Sequence, residues 1–318
     1  MIIERREGWG ILQYDTLRHR FSYKNNENEA IPYAQSPVVL NCDLTMKCNM
    51  ACEHCVTKDF TRYIDQDLVT STEMIKWINE SPFMVVVITG GEPFLAGCEN
   101  KLITLLRQIE GKGLIIDTNG TITPNKSVID SILKTHTLIR VSWDSIRPQD
   151  EICLRHKKRD TLRNREINKR YYYKKVEMIK SLRSQSIDVA VQTVVHKKNL
   201  NSIIEMPSLL HEYSIKQWYI QRLIPSHLIA DKGSFRISDS EYNKIITKLV
   251  QKCSEKEIEC ITKKDRRHNC VFLLVGNGLL YTQGEKLRQK ILLGNIRSTK
   301  IRYFYYVSSS EHSVRYYG

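Results

Sequence analysis

The chain has 318 residues, 41% of them hydrophobic and 26% charged, with a formal net charge of +14. That length can bury a substantial core in one large domain or two smaller ones, and no apolar run nears the roughly 18 residues a membrane-spanning helix needs. The amino terminus, MIIERREGWG, shows no apolar stretch followed by small residues, so no secretion signal is expected and the protein is read as cytoplasmic. Nine cysteines in that setting argue against a disulfide framework and for metal binding by some of them. The positive charge favours acidic peptides, phosphates or membrane surfaces without selecting among them.

In chain order, residues 1–36 stand apart, and WGILQYDTLRHRFSY within them is expected to form a small hairpin. From Val38 a repeat begins. Short apolar, β-branched runs are expected as strands: VVLNCDL from Val38, FMVVVI from Phe83, LIID from Leu114, LIRVSW from Leu138, IDVAVQTVV from Ile187 and QWYIQRL from Gln217. Segments of helical period separate them: STEMIKWINE from Ser71, ENKLITLLRQIEGKG from Glu99, PNKSVIDSILKTH from Pro124, a long basic stretch ending near Arg183, and NSIIEMPSLLHEYS from Asn201. Ser71 is expected to cap the first helix, Pro124 to lie in a first turn, and Gly111 with Gly113 to stop the second. Continuous apolar strands alternating with helices indicate an α/β fold with a covered parallel sheet. Periodicity alone leaves a doubly wound sheet and an incomplete barrel both open.

Beyond Gly233 the composition changes, with a helix expected over SDSEYNKIITKLVQK and a hairpin over CVFLLVGNGLLYTQ. The expected division is therefore 1–36, 37–232 and 233–318. The last residues, IRYFYYVSSSEHSVRYYG, are aromatic and basic, and nothing in them points to a role.

The segment LTMKCNMACEHC places Cys48, Cys52 and Cys55 in a C-x-x-x-C-x-x-C pattern just after the first strand of the repeat. Three thiolates can hold three corners of a cubane iron–sulfur cluster and leave the fourth iron open to a small molecule, whereas an electron-transfer cluster normally has four protein ligands. A zinc site completed by Cys42 or His54 is the alternative. Cys42 alternates with Leu40 and Leu44, which fits a buried structural thiol better than a ligand. About 35 residues after the triplet, ITGGEPFL follows the second strand, with Gly90 and Gly91 permitting close backbone approach, Glu92 offering a carboxylate and Pro93 stiffening the turn.

Taken together, CNMACEHC and GGEP resemble the signatures of the radical S-adenosylmethionine (radical SAM) enzymes, over about Val38 to Leu223. The resemblance implies a partial (β/α)6 TIM-type barrel with small amino- and carboxyl-terminal additions, a 4Fe–4S cluster on Cys48, Cys52 and Cys55, and SAM chelated to the open iron. It places His54 where an aromatic ring usually stands, and gives Gly90, Gly91, Glu92 and Pro93 to the methionyl amine. Thr118 and Asn119 in DTNGT would line the pocket, Ser142 and Asp144 in VSWDS would approach the ribose or methionyl group, and Arg155 would pair with the SAM carboxylate. Asn199 in VVHKKN is a candidate ribose contact, though turn, cap or solvated roles stand beside each of these assignments. A flavodoxin or ferredoxin is the implied electron donor.

Residues 155–175 hold ten basic residues against Asp160 and Glu166, a local charge of +8, with Tyr171, Tyr172 and Tyr173 among them. Such a patch suits an acidic peptide or a nucleic acid, or it is simply a solvated helix. CVFLLVGNGLLYTQGEKLRQKILLGNIR resembles a degenerate form of the SPASM extension of peptide-modifying members. Cys270 and Gly278 fit that pattern, but no cysteine follows Val271, so one cluster is expected, with a three-cysteine auxiliary site on Cys253, Cys260 and Cys270 as the alternative. Peptide or protein modification is the preferred reading; the others are action on RNA or a nucleotide, a non-catalytic zinc-stabilised nucleic-acid binder, and a family member that keeps its cluster without activity.

Overall fold

A computed structural model describes residues 1–7, 10–25, 37–55, 70–156, 162–223, 235–262, 271–283 and 290–297. Strands β1 (Ile2–Glu7), β2 (Gly10–Asp15) and β3 (Arg20–Asn25) form an antiparallel sheet in the order β1-β2-β3. The expected hairpin is thus β2–β3, and β1 adds a strand to it.

The repeat then appears as β4 (Val39–Thr45), α1 (Thr72–Glu80), β5 (Val85–Gly90), α2 (Glu99–Gln108), β6 (Gly113–Thr118), α3 (Lys126–Thr135) and β7 (Leu138–Ser142). It continues through α4 (Pro148–Glu151), α5 (Leu162–Ser184), β8 (Val189–Val195), α6 (Met206–Glu212) and β9 (Gln217–Arg222). Local chemistry sets the helix starts. The Ser71 hydroxyl accepts the Met74 N–H at 3.2 Å, as expected. For α3 the cap is Asn125, whose Oδ1 accepts the Val128 N–H at 3.0 Å, so Pro124 precedes the cap and does not lie in the first turn.

Strands β4 to β9 lie side by side in chain order and are all parallel, the arrangement of a partial TIM-type barrel. Two further parts join the same sheet. After α7 (Asp239–Ser254), β10 (Glu259–Thr262) adds a seventh parallel strand beside β9. At the other edge β11 (Val271–Leu274) runs parallel to β4, and β12 (Leu279–Gln283) and β13 (Lys290–Asn295) follow antiparallel. The hairpin expected after Cys270 is therefore real and extends the barrel sheet, with Gly278 at φ +84° in its turn. Cys270 and residues 301–318 lie outside the described residues.

The two faces of the parallel sheet have separate cores. Leu40, Cys42, Val86, Ile88, Ile116, Val141, Val191 and Trp218 pack on the helices. Each large apolar side chain so buried contributes about 1.5–3 kcal/mol. On the other face Val85, Val87, Ile115, Leu138 and Ala190 pack against Leu12 and Tyr14 of β2. The antiparallel sheet thus covers the inner face near the amino ends of the strands. Arg5 reaches the Pro37 and Pro82 carbonyls at 2.7 Å, and Gln217 Nε2 donates to Arg18 O at 3.1 Å. The contact is close enough that a Cβ on Gly113 would fall 2.1 Å from the Tyr14 ring. With that end occupied, the carboxyl edge is left for chemistry, as in other α/β barrels. Among the described residues no helix is long and apolar enough to cross a membrane.

Candidate active site at the carboxyl edge of the barrel

Because β4 to β9 are parallel, the cysteine loop, the GGEP turn and the ends of β6, β7 and β8 all emerge at one edge. The cysteine loop is rooted on the GGEP turn by backbone contacts: the Gly91 N–H donates to Thr45 O at 2.6 Å and the Glu92 N–H to Lys47 O at 2.9 Å. The two glycines are demanded by this approach. Gly90 has φ +117°, a Cβ on it would lie 2.3 Å from Thr45 O, and one on Gly91 would lie 1.9 Å from Lys47 O. In the described structure, then, they make room for the backbone leading into Cys48.

Glu92 is fully buried, and its carboxylate ties the turn to the end of β6. Oε1 accepts the Thr118 hydroxyl at 2.7 Å and the Phe94 N–H at 3.0 Å, and Oε2 accepts the Asn119 N–H at 2.8 Å. Burial outweighs these bonds and pushes the Glu92 carboxyl up from 4.5 to about 7. Pro93 is buried beside it. Asn119 reaches back to the cysteine loop, its Nδ2 lying 2.9 Å from Asn49 Oδ1 and 3.8 Å from Cys48 Sγ. Asn49 in turn donates to the Thr121 hydroxyl at 2.8 Å. Neither Asn49 nor Thr121 stood out in the sequence, since an amide inside a motif carries no signal until its partner is known.

On the other flank, the Ala51 N–H donates to His156 O at 2.7 Å and the Glu53 N–H to Leu154 O at 2.9 Å. Arg155 is thereby held beside the triplet, and its guanidinium donates to Asp144 at 2.6 and 3.3 Å. Asp144 is fully buried and also accepts the Val194 N–H at 2.8 Å. Burial alone would raise its carboxyl, but Arg155, with His54 adding to it, holds it below the usual range. The expected SAM-carboxylate partner and the expected ribose or methionyl contact are therefore bonded to each other. Ser142 is half-buried at the end of β7, opposite Gln192 in register.

Asn199 lies deeper. Its amide donates to Asp144 O at 2.8 Å and Val194 O at 3.0 Å and accepts the His196 N–H at 2.9 Å, with none of its surface exposed. That environment makes it a bracket between the β7 and β8 ends. Two members of the basic stretch are also internal: Arg155 pairs with Asp144, and Lys175 pairs with Glu151. Tyr172 packs on Trp143 at 6.1 Å, while Lys169, Arg170, Tyr173 and Lys174 are exposed. The patch is therefore smaller than the charge count implied; residues 157–161 and the side chains of 162–165 lie outside the description.

A family model for the Radical SAM superfamily matches residues 43–210, more than half of the chain. The chain belongs to the radical SAM superfamily. Among curated relatives, an S-adenosylmethionine-dependent nucleotide dehydratase from Lacinutrix mariniflava is 26% identical over 219 residues, covering 64% of this chain and 42% of that protein. The chain spans about half the length of the curated relatives it matches. Among solved structures, native anSMEcpe with bound AdoMet and a Cp18Cys peptide superposes with a TM-score of 0.65 at 18% identity, over 84% of this chain and 80% of that one. Streptococcus suis SuiB bound to S-adenosylmethionine gives 0.62 at 12% identity, over 88% and 80%. These likenesses show the fold.

As a radical SAM enzyme the protein takes a 4Fe–4S cluster and SAM, and its donor set suits them. Cys48 is exposed and Cys52 and Cys55 are half-buried. Burial pushes the Cys52 thiol up to about 12, against the opposing pull of Arg155. Cys42 is fully buried in the helix-side core. Among the described residues no three His, Cys, Asp or Glu side chains converge on a point suited to a single metal ion. A cubane makes no such demand, because each thiolate binds a different iron.

Proposed function

We propose that this radical SAM enzyme modifies a peptide or protein. When bound, the cluster and SAM would supply one-electron reductive cleavage of the sulfonium bond and, through it, hydrogen abstraction from the substrate. This chain's own residues position the reactants and limit water, which is the protein's share of such chemistry. Cys48, Cys52 and Cys55 hold the cluster, with His54 and Asn119 beside it. The GGEP turn, Thr118 and Ser142 line the approach, and Asp144 with Arg155 forms the polar end that meets the SAM methionyl group.

The observation that carries the peptide reading is the reach of the structural likeness. It covers 84–88% of the chain, well past residue 210, and SuiB and anSMEcpe have both been seen with peptides. The β11–β13 addition on the β4 edge is, in this reading, a degenerate SPASM-like extension without its own cluster. The exposed Lys169, Arg170 and Lys174 on α5 favour an acidic segment of the substrate. A flavodoxin or ferredoxin in the cytoplasm supplies electrons. The nucleotide reading is favoured by two of the curated relatives, the nucleotide dehydratase and a GTP 3',8-cyclase from Clostridium perfringens that is 25% identical over 225 residues.

The deciding experiment is anaerobic turnover of the clustered enzyme with short peptides encoded beside its gene and, separately, with nucleoside triphosphates. Peptide-stimulated 5′-deoxyadenosine release with a mass change in the peptide is expected. Stimulation by a nucleotide alone would replace the peptide reading.

A further inference from the structure

Helix α5 carries a buried stripe of Asn168, Tyr172, Lys175, Ile179 and Leu182, spaced for one helix face. Lys175 is the anomaly in it, a lysine only 2% exposed where a methionine or leucine would fill the space. Its ammonium bonds Glu151 Oε1. The other oxygen of Glu151, itself 2% exposed, accepts the Asp144 N–H at 2.6 Å and the Ser145 N–H at 3.0 Å. From that turn Asp144 grips Arg155, and the Arg155 N–H returns to Glu151 O at 3.2 Å. The Lys175 stem also underlies the β6 loop, since a Cβ on Gly120 would stand 2.8 Å from its Cγ.

Withdrawing an ammonium and a carboxylate from water costs several kcal/mol per ion, and an apolar pair would fill the same space at lower cost. The pair therefore calls for a role that packing does not supply, and it stands at the turn that sets the direction of Asp144 and Arg155.

We propose that Glu151 is a positioning residue for SAM binding: oriented by Lys175, it fixes the Asp144–Ser145 turn and through it the guanidinium of Arg155. The proposal rests on the assignment of Asp144 and Arg155 to the SAM site. Glu151 does not touch SAM itself; its hydrogen bonds pre-set the geometry in which Arg155 meets the methionyl carboxylate, as outer groups orient the ligands of metal centres.

The test uses the full chain with its cluster reconstituted anaerobically, and four variants: Glu151→Gln, Lys175→Met, the double variant and Arg155→Met. SAM dissociation constants by equilibrium dialysis and the EPR spectrum of the reduced cluster with and without SAM are the readouts, with iron content and thermal midpoint as controls for folding. Each of the two single changes in the clamp is expected to weaken SAM binding by about tenfold with iron retained, and to blunt the spectral change that SAM causes. The double variant is expected to recover to within about threefold, because the neutral amide accepts the same two N–H groups and leaves no unpaired charge. Single variants that bind SAM within about twofold of the parent, while Arg155→Met does not, would overturn the clamp and leave the site assignment standing. Normal binding by Arg155→Met would overturn the assignment and the clamp with it. Where the single variants lose iron, the double variant decides, and a folded double variant that still binds SAM weakly refutes the proposal.

Discussion

The carboxyl edge has two flanks built by opposite means. The β4–β6 flank, with the cysteine loop, the GGEP turn and Asn119, is held by backbone approach and by hydrogen bonds around the buried carboxylate of Glu92. The β7–β8 flank, with Asp144, Arg155, Glu151 and Lys175, is held by buried ions in pairs. At Gly90 and Gly91 the first leaves no space for added atoms. The second has its charges balanced, so that removing one member of a pair leaves a buried charge uncompensated. Steric faults should therefore be severe on one flank and electrostatic faults on the other.

The largest effect should come from the loop where the flanks meet. Alanine at Cys48, Cys52 and Cys55 together is expected to take iron from about four per chain to almost none, by metal analysis after anaerobic reconstitution. About four irons remaining would reveal a second cluster, for which Cys253 and Cys260, free thiols hydrogen-bonded to each other, would be the first place to look.

Gly91→Val tests the steric flank. With Lys47 O only 1.9 Å from a new Cβ, the loop must move and cluster content should fall along with SAM binding. Gly97→Ala is the control, since it has φ +88° with nothing within 4 Å of the new atom. It should lose about 1–2 kcal/mol of stability by denaturant titration with iron intact. Equal iron in both variants would show that the glycine contact is not what seats the loop.

On the charged flank, removing one partner of Glu151–Lys175 should cost about 3–5 kcal/mol of unfolding free energy, with most of it recovered in the neutral double variant. A loss that does not recover would mean that packing, and not charge balance, governs this flank.

Glu92 gives a pH signature to the other. The folded chain keeps its proton to about pH 7 while the unfolded carboxyl releases it near 4.5. The stability it contributes is therefore full below the lower value and is lost as pH rises through the window, by about 3 kcal/mol in all. Glu92→Gln should flatten that part of the stability profile, and an unchanged slope between the two proteins would contradict the assignment. The smallest effect is expected on the surface: neutralising Lys169, Arg170 and Lys174 should alter stability by under about 0.5 kcal/mol. It should nonetheless flatten the salt dependence of substrate capture in stopped-flow mixing.

Much of this was legible before folding because it is local. C-x-x-x-C-x-x-C and GGEP need only a strand and the turn after it, and βα periodicity carries the element order. Lys175 illustrates the boundary. Counting charge put it on a solvated patch, although its spacing from Tyr172, Ile179 and Leu182 already placed it on the buried face. Glu151 carried no signal at all, because its importance lies in which backbone N–H groups it meets.

The sequence alone determined the C-x-x-x-C-x-x-C spacing, the parallel α/β repeat and the family, since short-range spacing and hydrophobic period depend on few residues. Tertiary structure decided the rest. It seated the amino-terminal sheet beneath the barrel, joined β11 to β4, spent Gly90 and Gly91 on the cysteine loop, and paired Arg155 with Asp144. Each of those outcomes turns on side chains or backbone far apart in the chain, and their separation is set only when the strands close side by side.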